Sequence, residues 1–465
     1  MRVGRQRHRS HIRLSMAVVG VLASLLSACG SAATGSNGGA KNTITVAYEP
    51  AYVFFSVPEA NWFMDKMIKE FQAVHPGVQV KLEPVEGSYN DMVNKLSLLL
   101  RTPSTAPDVA ELPGPDIGLW STSGYLLALN KYLGATSWWA GVPAKVKAQG
   151  SLNGNVYAVD ENENVQGLFY NVPIFRKAGI PVPWHPTSWQ DIVTAAKKVK
   201  AADPSVIPLW LLAGTESGAN GMLQGINNLI VGSSDPTIET AGGKVVVDSS
   251  GLREALQFYK EVYQDGLGAD TSLMFSPTSG GPNGPLLYPT HKLAICLCSN
   301  GFSTGWSKQM SAPYFPQAQA TVAVTPIPHI TGGGIATDFG GFQFAVSSHS
   351  HAPSLAFDFI NLLESQTNEI IDNNYTGGVP PNTAAAAAPG FTDFFPPYNR
   401  DFAQIFKYSV PDPSGANYTV WAQGMGEATG AIINNPQGTT VAQAINILKS
   451  YVTNQLGSGA VTTQP

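Results

Sequence analysis

A dense group of hydrogen-bonding side chains, residues 160–164, lies between two apolar segments near the middle of the chain. The flanks, residues 156–159 and 167–171, have the composition of β-strands. Paired carboxylates can act as general acid and general base on a glycosidic bond when the fold sets their separation. Two strands joined by polar groups would equally form a hinge that lines a cleft, and this interpretation selects Glu161 and Asn162 as ligand-binding residues.

Polar and aromatic residues also follow three predicted strands. Open α/β sheets bind ligands beyond the carboxyl ends of their strands, and exposed aromatic rings pack against sugar rings. Asp116 could instead cap a helix. The candidate ligand contacts at these strand ends are Tyr48, Glu49, Glu111, Asp116, Trp210 and Glu216.

One pattern suggests covalent catalysis. Ser303 is the centre of a G-x-S-x-G string, with Asp338 and then His349 or His351 downstream in the order of serine hydrolases. A nucleophile elbow needs a helix after the serine, but residues 306–313 are short and polar and end at a proline. A glycine-rich turn is therefore the favoured interpretation, and we predict no enzymatic activity. The sequence also contains neither a P-loop nor an H-E-x-x-H motif.

Cys296 and Cys298 stand in one apolar segment with C-x-C spacing. The spacing fits disulfide geometry poorly, so two buried free thiols are favoured over a bridge. No cysteine or histidine partner stands at ligand spacing, so we expect no metal and no cofactor.

These residues need a scaffold, and the chain alternates predicted strands and helices. Strands are predicted at 43–48, 78–82, 107–112, 207–212, 293–298, 321–324 and 341–346, and helices at 89–100, 187–200, 252–263, 354–363 and 439–456. This alternation predicts a mainly parallel α/β body. No long linker divides it, so two lobes would have to share the chain by crossing over.

The N-terminus predicts export and lipid attachment. Five arginines precede an apolar run at 16–26, and residues 26–29, Leu-Ser-Ala-Cys, match the lipobox of bacterial lipoproteins. An ordinary secretory cleavage site is the alternative. We predict a signal peptide at 1–28, lipidation of Cys29, and a flexible tether at 29–42 that holds the body outside the cytoplasm on the cell membrane.

Composition excludes one class of partner. The full chain has 27 basic and 32 acidic side chains, and five arginines leave with the signal, so the mature balance is 22 minus 32, or −10. Nucleic-acid binding needs a basic surface, so we expect no such partner.

Several strings, in order along the chain, resemble the bacterial extracellular solute-binding proteins that serve carbohydrate ABC importers. The matching strings lie at 71–80, 106–109, 124–130, 155–159, 168–171, 175–180, 186–189, 340–347 and 377–380. The resemblance implies a two-lobed periplasmic-binding-protein-like fold with crossover hinge strands. We divide it into 43–160 with 291–340 for the first lobe and 161–290 with 341–465 for the second.

The resemblance also implies a monomer that closes on a carbohydrate and delivers it to ABC permease subunits. Hinges are expected near 160–167, 288–291 and 340–344, with Trp210 or Phe339 beneath a sugar ring. The resemblance adds as ligand contacts Asn300, Phe302, Phe339, Gly340 and Gly378. Two alternatives stay open: a non-sugar solute such as a glycerophosphodiester or polyamine, and an adhesive or sensory lipoprotein.

Overall fold

The computed structural model describes residues 42–50, 57–216, 218–275, 287–306, 314–394 and 398–464. The predicted signal and Cys29 lie outside them. The strands are β1 (Thr43–Tyr48), β2 (Gln79–Pro84), β3 (Val109–Pro113), β4 (Ser151–Leu152), β5 (Asn155–Val156), β6 (Ala158–Asp160), β7 (Asn164–Asn171), β8 (Ile207–Trp210), β9 (Val245–Asp248), β10 (Leu293–Ser299), β11 (Val322–Thr325), β12 (Asp338–Gly340), β13 (Phe342–Val346), β14 (Val410–Pro411) and β15 (Val461–Thr463).

Helices connect these strands. The α-helices in the described residues are Val57–Val74, Tyr89–Arg101, Ile117–Thr122, Asn130–Leu133, Ala144–Gln149, Val172–Lys177, Trp189–Ala202, Gly218–Leu223, Ile226–Val231, Ser250–Gln264, Thr271–Met274, Gly301–Thr304, Ala318–Thr321, Pro353–Leu363, Gln366–Thr376, Thr383–Ala386, Pro389–Thr392, Asn399–Phe406, Tyr418–Asn434 and Val441–Leu456, with 3₁₀ turns at Gly114–Asp116, Trp139–Gly141 and Ser458–Ala460.

Local chemistry explains where the longer helices begin. Ser88 caps the helix Tyr89–Arg101: its side chain accepts from the Asp91 amide while the Asp91 carboxylate accepts from the Ser88 amide. Ser188 caps Trp189–Ala202 by accepting from the Asp191 amide. Each cap satisfies an amide that the helix itself leaves without a partner.

The first sheet has the spatial order β2-β1-β3-β13-β6. β1 pairs in parallel with β2 and β3, whereas β13 pairs antiparallel with β3 and β6. The helix Pro353–Leu363 packs on β3 and β13 and also contacts Val57–Val74, where the rings of Phe359 and Phe71 lie 5.2 Å apart. We call this sheet with its helices lobe 1.

The second sheet is built around β7, and we call it with its helices lobe 2. Its order is β14-β12-β7-β10-β8, and β11 also pairs with β7. β7 is antiparallel to β10, β11 and β12, while β10 and β8 are parallel. Both sheets are therefore mixed rather than mainly parallel, because each contains a strand that enters from the other lobe.

Three crossings between the lobes can be traced through the described residues. It passes from β6 to β7 through residues 161–163 and returns from β12 to β13 at Gly341. The third crossing follows the bridge between Glu163 and Val379 and leads to the helix Asn399–Phe406, which packs on β7. The expected hinges near 160–167 and 340–344 coincide with the first two crossings.

The strand pairings differ from the predicted division of the chain. β10 was expected in the first lobe and β13 in the second, but β10 pairs with β7 and β8 in lobe 2, and β13 pairs with β3 in lobe 1. The expected hinge at 288–291 is therefore no crossing, because the chain stays within lobe 2 on both sides of it. Within β10, Cys296 and Cys298 form a disulfide, not the free thiols that the sequence favours.

Candidate functional site

A cleft lies where the two lobes meet, beside the first two crossings. The space between its walls is ≈ 20 Å³, about enough for one water molecule, so the walls are nearly in contact in this structure. Lobe 1, the crossings and lobe 2 all contribute to its wall. The lining residues are Tyr89, Pro113, Pro115, Asn164, Gln166, Asn220, Leu223, Gln224, Gly340, Gly341, Phe342 and Asp412. Amide side chains therefore dominate its polar surface, and none of these described lining residues is Lys, Arg or His.

Asp116 joins the lobes at this cleft. Its side chain is fully buried; Oδ2 accepts from the Tyr89 hydroxyl over 2.9 Å, and Oδ1 accepts from Thr419 Oγ1 over 2.7 Å. Tyr89 belongs to lobe 1 and Thr419 to lobe 2. Burial raises the pKa of Asp116, and the two hydroxyl donors oppose that shift. Asp116 precedes the helix Ile117–Thr122 but makes no capping hydrogen bond with its side chain, so the capping alternative is wrong.

The crossings are tightly packed, which explains their glycines. A Cβ on Gly341 would lie 2.0 Å from the Asn162 carbonyl oxygen, and one on Gly340 would lie 2.3 Å from Asp412 Oδ2. Gly378 likewise meets Asn162 Cβ at 2.5 Å. Any larger residue here would displace a crossing strand or the cleft wall.

Asn300 fixes the start of β7. Its Oδ1 accepts from the Val165 amide over 3.0 Å, and its Nδ2 donates to the Glu163 carbonyl over 3.3 Å. Its side chain is buried and both polar atoms are used by the backbone. In this structure Asn300 therefore holds the first crossing in place and is not among the residues that line the cleft.

Two groups of buried carboxyls flank the cleft, and the first lies within lobe 1. Glu161, Glu364, Glu369 and Asp372 lie together beside Phe63, Phe344 and Leu363, with no space for a water molecule between them. Burial raises the pKa of Glu369 to about 8 and that of Asp372 to about 7. Glu111 and Glu161 also have raised pKa values, first because of burial and then through neighbouring carboxylates. Among the described residues, no such group has the arrangement of a metal site.

The second group adjoins the cleft in lobe 2. The carboxyls of Asp338 and Asp412 are both buried there and act on each other electrostatically, and both Asp338 oxygens lack a donor in the described residues. Burial raises the pKa of Asp412 to about 7 and that of Asp338 well above its usual range, and burial with the neighbouring Asp160 and Asp412 does the same for Glu163. Lys145 is the cation that acts on Glu163.

Lys145 reaches from lobe 1 to the end of a helix in lobe 2. Its Nζ donates to the carbonyl oxygens of Phe406 and Ser409, and it lies 4.8 and 4.5 Å from the ring centres of Phe339 and Phe406. Half-burial lowers the pKa of Lys145 to about 8. The contact places a positive charge at the negative end of the helix Asn399–Phe406.

A second depression is larger but differs in kind. It measures ≈ 520 Å³ and is more open to solvent. The residues that line it, all in lobe 2, are Trp189, Gln190, Val193, Arg253, Glu254, Gln257, Phe258, Glu261, Ile330 and Val441. The interlobe cleft is the better candidate site despite its smaller volume, because it gathers buried polar groups from both lobes.

Sequence comparison now identifies the family. The sequence profile described as "Bacterial extracellular solute-binding protein" matches residues 66–394, more than half of the 465 residues. This chain belongs to that family.

Named relatives of this solute-binding protein are sugar-binding proteins. It is 23% identical over 314 residues to the arabinooligosaccharide-binding protein of Bacillus subtilis, covering 64% of this chain and 65% of the relative. It is 25% identical over 203 residues to the multiple sugar-binding protein of Streptococcus mutans, covering 43% of each. The chain therefore spans less than two thirds of the length of these relatives.

Solved structures confirm the two-lobed fold. The maltose-bound T. maritima MalE3 superposes with a TM-score of 0.72 at 19% identity, covering 89% of this chain and 100% of that one. Lmo0181 from Listeria monocytogenes, solved in complex with cycloalternan, gives a TM-score of 0.70 at 19% identity, covering 90% and 99%. The family and these neighbours are binding proteins. In the described residues of this chain, no helix is long and apolar enough to cross a membrane.

Apart from Asn300 and Gly378, which pack at the crossings, the expected ligand contacts fall into three sets in this solute-binding protein. Gly340 lines the cleft, Asp116 accepts a hydrogen bond from the cleft residue Tyr89, and Asn162 packs against Gly341. Tyr48, Glu49, Glu111 and Glu161 gather in lobe 1, where the Glu49 amide donates to Glu111 Oε2 over 3.0 Å. The remaining aromatic candidates Trp210, Phe302 and Phe339 are buried in the core, whereas Glu216 is exposed.

Burial changes the role of two aromatic candidates. Trp210 is completely buried at the end of β8, and Phe339 is completely buried against the ring of Phe406, 5.0 Å away. Neither ring has an open face in this structure on which a sugar could stack. Tyr89 and Phe342 are the aromatic side chains that line the cleft.

The hydrolase arrangement does not form. Ser303 is buried, and its hydroxyl donates to the Asn300 carbonyl over 2.8 Å. His349 and His351 follow β13 in lobe 1, where the His351 amide donates to Asp108. The serine and both histidines therefore lie in different lobes.

Seven polar or aromatic cleft residues were not among the expected ligand contacts: Tyr89, Asn164, Gln166, Asn220, Gln224, Phe342 and Asp412. Asn164 and Gln166 adjoin Asn162 and could have been found by extending that polar segment into β7. Asn220 and Gln224 stand four residues apart, a helical spacing that brings polar groups to one face. Asp412 lies between two prolines, and only the fold brings it to the cleft.

Proposed function

We propose that this protein is the lipid-anchored, extracytoplasmic substrate-binding subunit of an ABC importer, which captures a carbohydrate in the interlobe cleft. It acts as a monomer and delivers the ligand to permease subunits. It binds without chemical change to the ligand, and no cofactor takes part.

The lining of the cleft carries this proposal. Asn164, Gln166, Asn220 and Gln224 offer both donors and acceptors, which is the requirement of sugar hydroxyls. Tyr89 and Phe342 add aromatic surface beside them, as carbohydrate rings favour. The names of the relatives, both sugar-binding, and the sugar complexes of the structural neighbours support the same ligand class.

The position of the cleft supports a closing mechanism. A ligand can contact both lobes only when they are closed, so these contacts stabilise the closed state and not the open one. Binding therefore shifts the population toward the closed state. Asp116 with Thr419 and Lys145 with Ser409 are contacts that closure would make. A glycerophosphodiester is disfavoured, because its anionic phosphate would meet no cation among the described lining residues.

The N-terminal sequence supports the location. Leu26, Ser27 and Ala28 precede Cys29 as in a lipobox, and the following glycine- and serine-rich segment would separate the body from the membrane. The −10 charge of the mature chain also agrees with a small-molecule ligand and not with nucleic acid.

A thermal-shift screen over mono- and oligosaccharides tests the proposed ligand class. A binder at one hundred times its Kd should stabilise the fold by about 2.7 kcal/mol, which raises the melting temperature measurably. Gln224→Ala should lose most of the shift, while Gln437→Ala, at an exposed amide, serves as the matched control. A panel in which only non-carbohydrate solutes stabilise the protein would contradict the proposal.

A further inference from the structure

Three buried oxygen atoms of the cleft lack a donor among the described residues. They are Asp412 Oδ1, Gln166 Oε1 and Gln224 Oε1. Their side chains are 9%, 2% and 4% exposed, and all three residues line the interlobe cleft. An acceptor removed from water without a donor is costly. The cleft is therefore built to receive N–H or O–H groups from a bound molecule.

Other carboxyls surround these acceptors. Asp338 and Glu163 both act electrostatically on Asp412, and both carboxyl oxygens of each lack a donor in the described residues. The Tyr418 hydroxyl lies near Asp338 and Asp412 and is uncharged. Lys145 acts on Glu163, but its Nζ is engaged by Phe406 and Ser409.

We propose that the cleft selects a carbohydrate that carries a protonated amine, with Asp412 as the ion-pair partner of its ammonium group. This rests on the proposed function and narrows its ligand class. An ammonium supplies three N–H donors and no acceptor, which matches a wall of acceptors better than a hydroxyl does. It also places a positive charge beside Asp412, whose neighbours Asp338 and Glu163 are both carboxyls.

A neutral sugar would fit this wall less well. A hydroxyl provides one donor and brings lone pairs of its own against acceptors that already lack donors. It also leaves Asp412 and Asp338, both buried, without a counter-charge. The remaining hydroxyls of an aminosugar can still use Asn164 and Asn220, which offer donors as well as acceptors.

Calorimetry with matched sugars on the purified full-length protein tests the inference. The probes are glucosamine with glucose, galactosamine with galactose, and the chitosan disaccharide with cellobiose and N,N′-diacetylchitobiose, all at pH 6.5. We expect at least one amine to bind about tenfold or more tighter than its hydroxyl and acetamide counterparts.

Variants assign the effect to the cleft. Asp412→Asn keeps the shape and removes the charge, and should reduce amine affinity about tenfold or more while changing the affinity of the neutral counterpart much less. Should Asp412→Asn fail to fold, Gln224→Met removes the Oε1 acceptor, together with the hydrogen bond from Nε2 to Asn220, and should weaken amine binding roughly two- to tenfold. Asp393→Asn, in an exposed ion pair with Arg400, is the control and should leave affinity unchanged.

The outcomes separate the inference from the proposed function. Equal affinity for amine and hydroxyl forms, or an amine affinity unaffected by Asp412→Asn, overturns the inference and leaves the sugar-binding function standing. Binding of spermidine without binding of any sugar overturns both the inference and the proposed function. The absence of binding by every sugar in the matched pairs overturns both as well. Tighter amine binding that Asp412→Asn abolishes supports both.

Discussion

Replacement of Thr419 by Val would test whether the hydrogen bond between the lobes sets the closed state. Thr419 Oγ1 donates to Asp116 Oδ1 over 2.7 Å, and the Asp116 side chain is fully buried. Valine has nearly the shape of threonine but no hydroxyl, so the change removes this bond and little else. Tyr89 still donates to Oδ2 of the carboxylate.

The size of the effect follows from the kind of bond. A hydrogen bond to a charged group contributes about 1.5–3 kcal/mol, and the partial exposure of Thr419 favours the lower end. A loss of about 1.5 kcal/mol reduces the ratio of closed to open protein roughly tenfold. Where the closed form is the minor one in the free protein, ligand affinity falls by the same factor.

Titration calorimetry with a carbohydrate found by screening measures this change. Thr419→Ser keeps the hydroxyl and should bind like wild type. Thr429→Val is the second control, because the Thr429 hydroxyl lies in the same helix but bonds within lobe 2, to Met425 and Gly214. Thr419→Val within twofold of wild type, or an equal loss in Thr429→Val, would refute a role for the interlobe bond.

Three further predictions use other parts of the chain. Lys145→Met should lose a pH dependence of folding stability. The pKa of Lys145 is lowered to about 8, so between pH 8 and about 10.5 the folded protein has lost a proton that the unfolded chain keeps. Over that range wild type should gain stability relative to the variant in denaturant titrations. Glu369→Gln tests the opposite sign. The pKa of Glu369 is raised to about 8, so wild type should lose stability as the pH rises from about 4.5 to 8, by at most about 1.4 kcal/mol per pH unit. The variant should lack this loss of stability. An unchanged pH profile in either variant would contradict the burial assigned to it. Cys29→Ala should move the protein from the detergent phase to the aqueous phase in a partition assay, and partitioning like wild type would refute lipidation.

Local patterns were sufficient to predict most elements of the fold. Alternation of apolar residues predicted β1 over 43–48, where the structure has it, and the apolar helical spacing at 89–100 matches Tyr89–Arg101. Periodicity and caps are encoded within a few neighbouring residues, so they can be read from one segment at a time.

The order of strands within the sheets was not predictable in this way. β10 and β13 are both buried along their whole length, and their apolar sequences fit either sheet. Their partners lie more than 100 residues away, in β7 and β3. The predicted boundaries at 290 and 340 therefore assigned both strands to the other lobe.

The site shows the same limit. Asn162 and Gly340 were selected because the crossings have a recognisable polar or glycine-rich sequence. Gly340 lines the cleft, and Asn162 packs against the neighbouring Gly341. Asp412, from a loop with no periodicity, reaches the cleft only through the pairing of β14 with β12. Trp210 ends a strand, which suggested an exposed ring, but neighbouring helices cover it completely.

A crystal structure of the protein with the carbohydrate identified by screening would show directly whether the ligand lies between the lobes. We predict sugar density enclosed by Tyr89 of lobe 1 and by Gln166, Gln224 and Asp412 of lobe 2, with its amine, if present, against Asp412. Density in the open depression beside Trp189 and Arg253, with the interlobe cleft holding only water, would contradict the account.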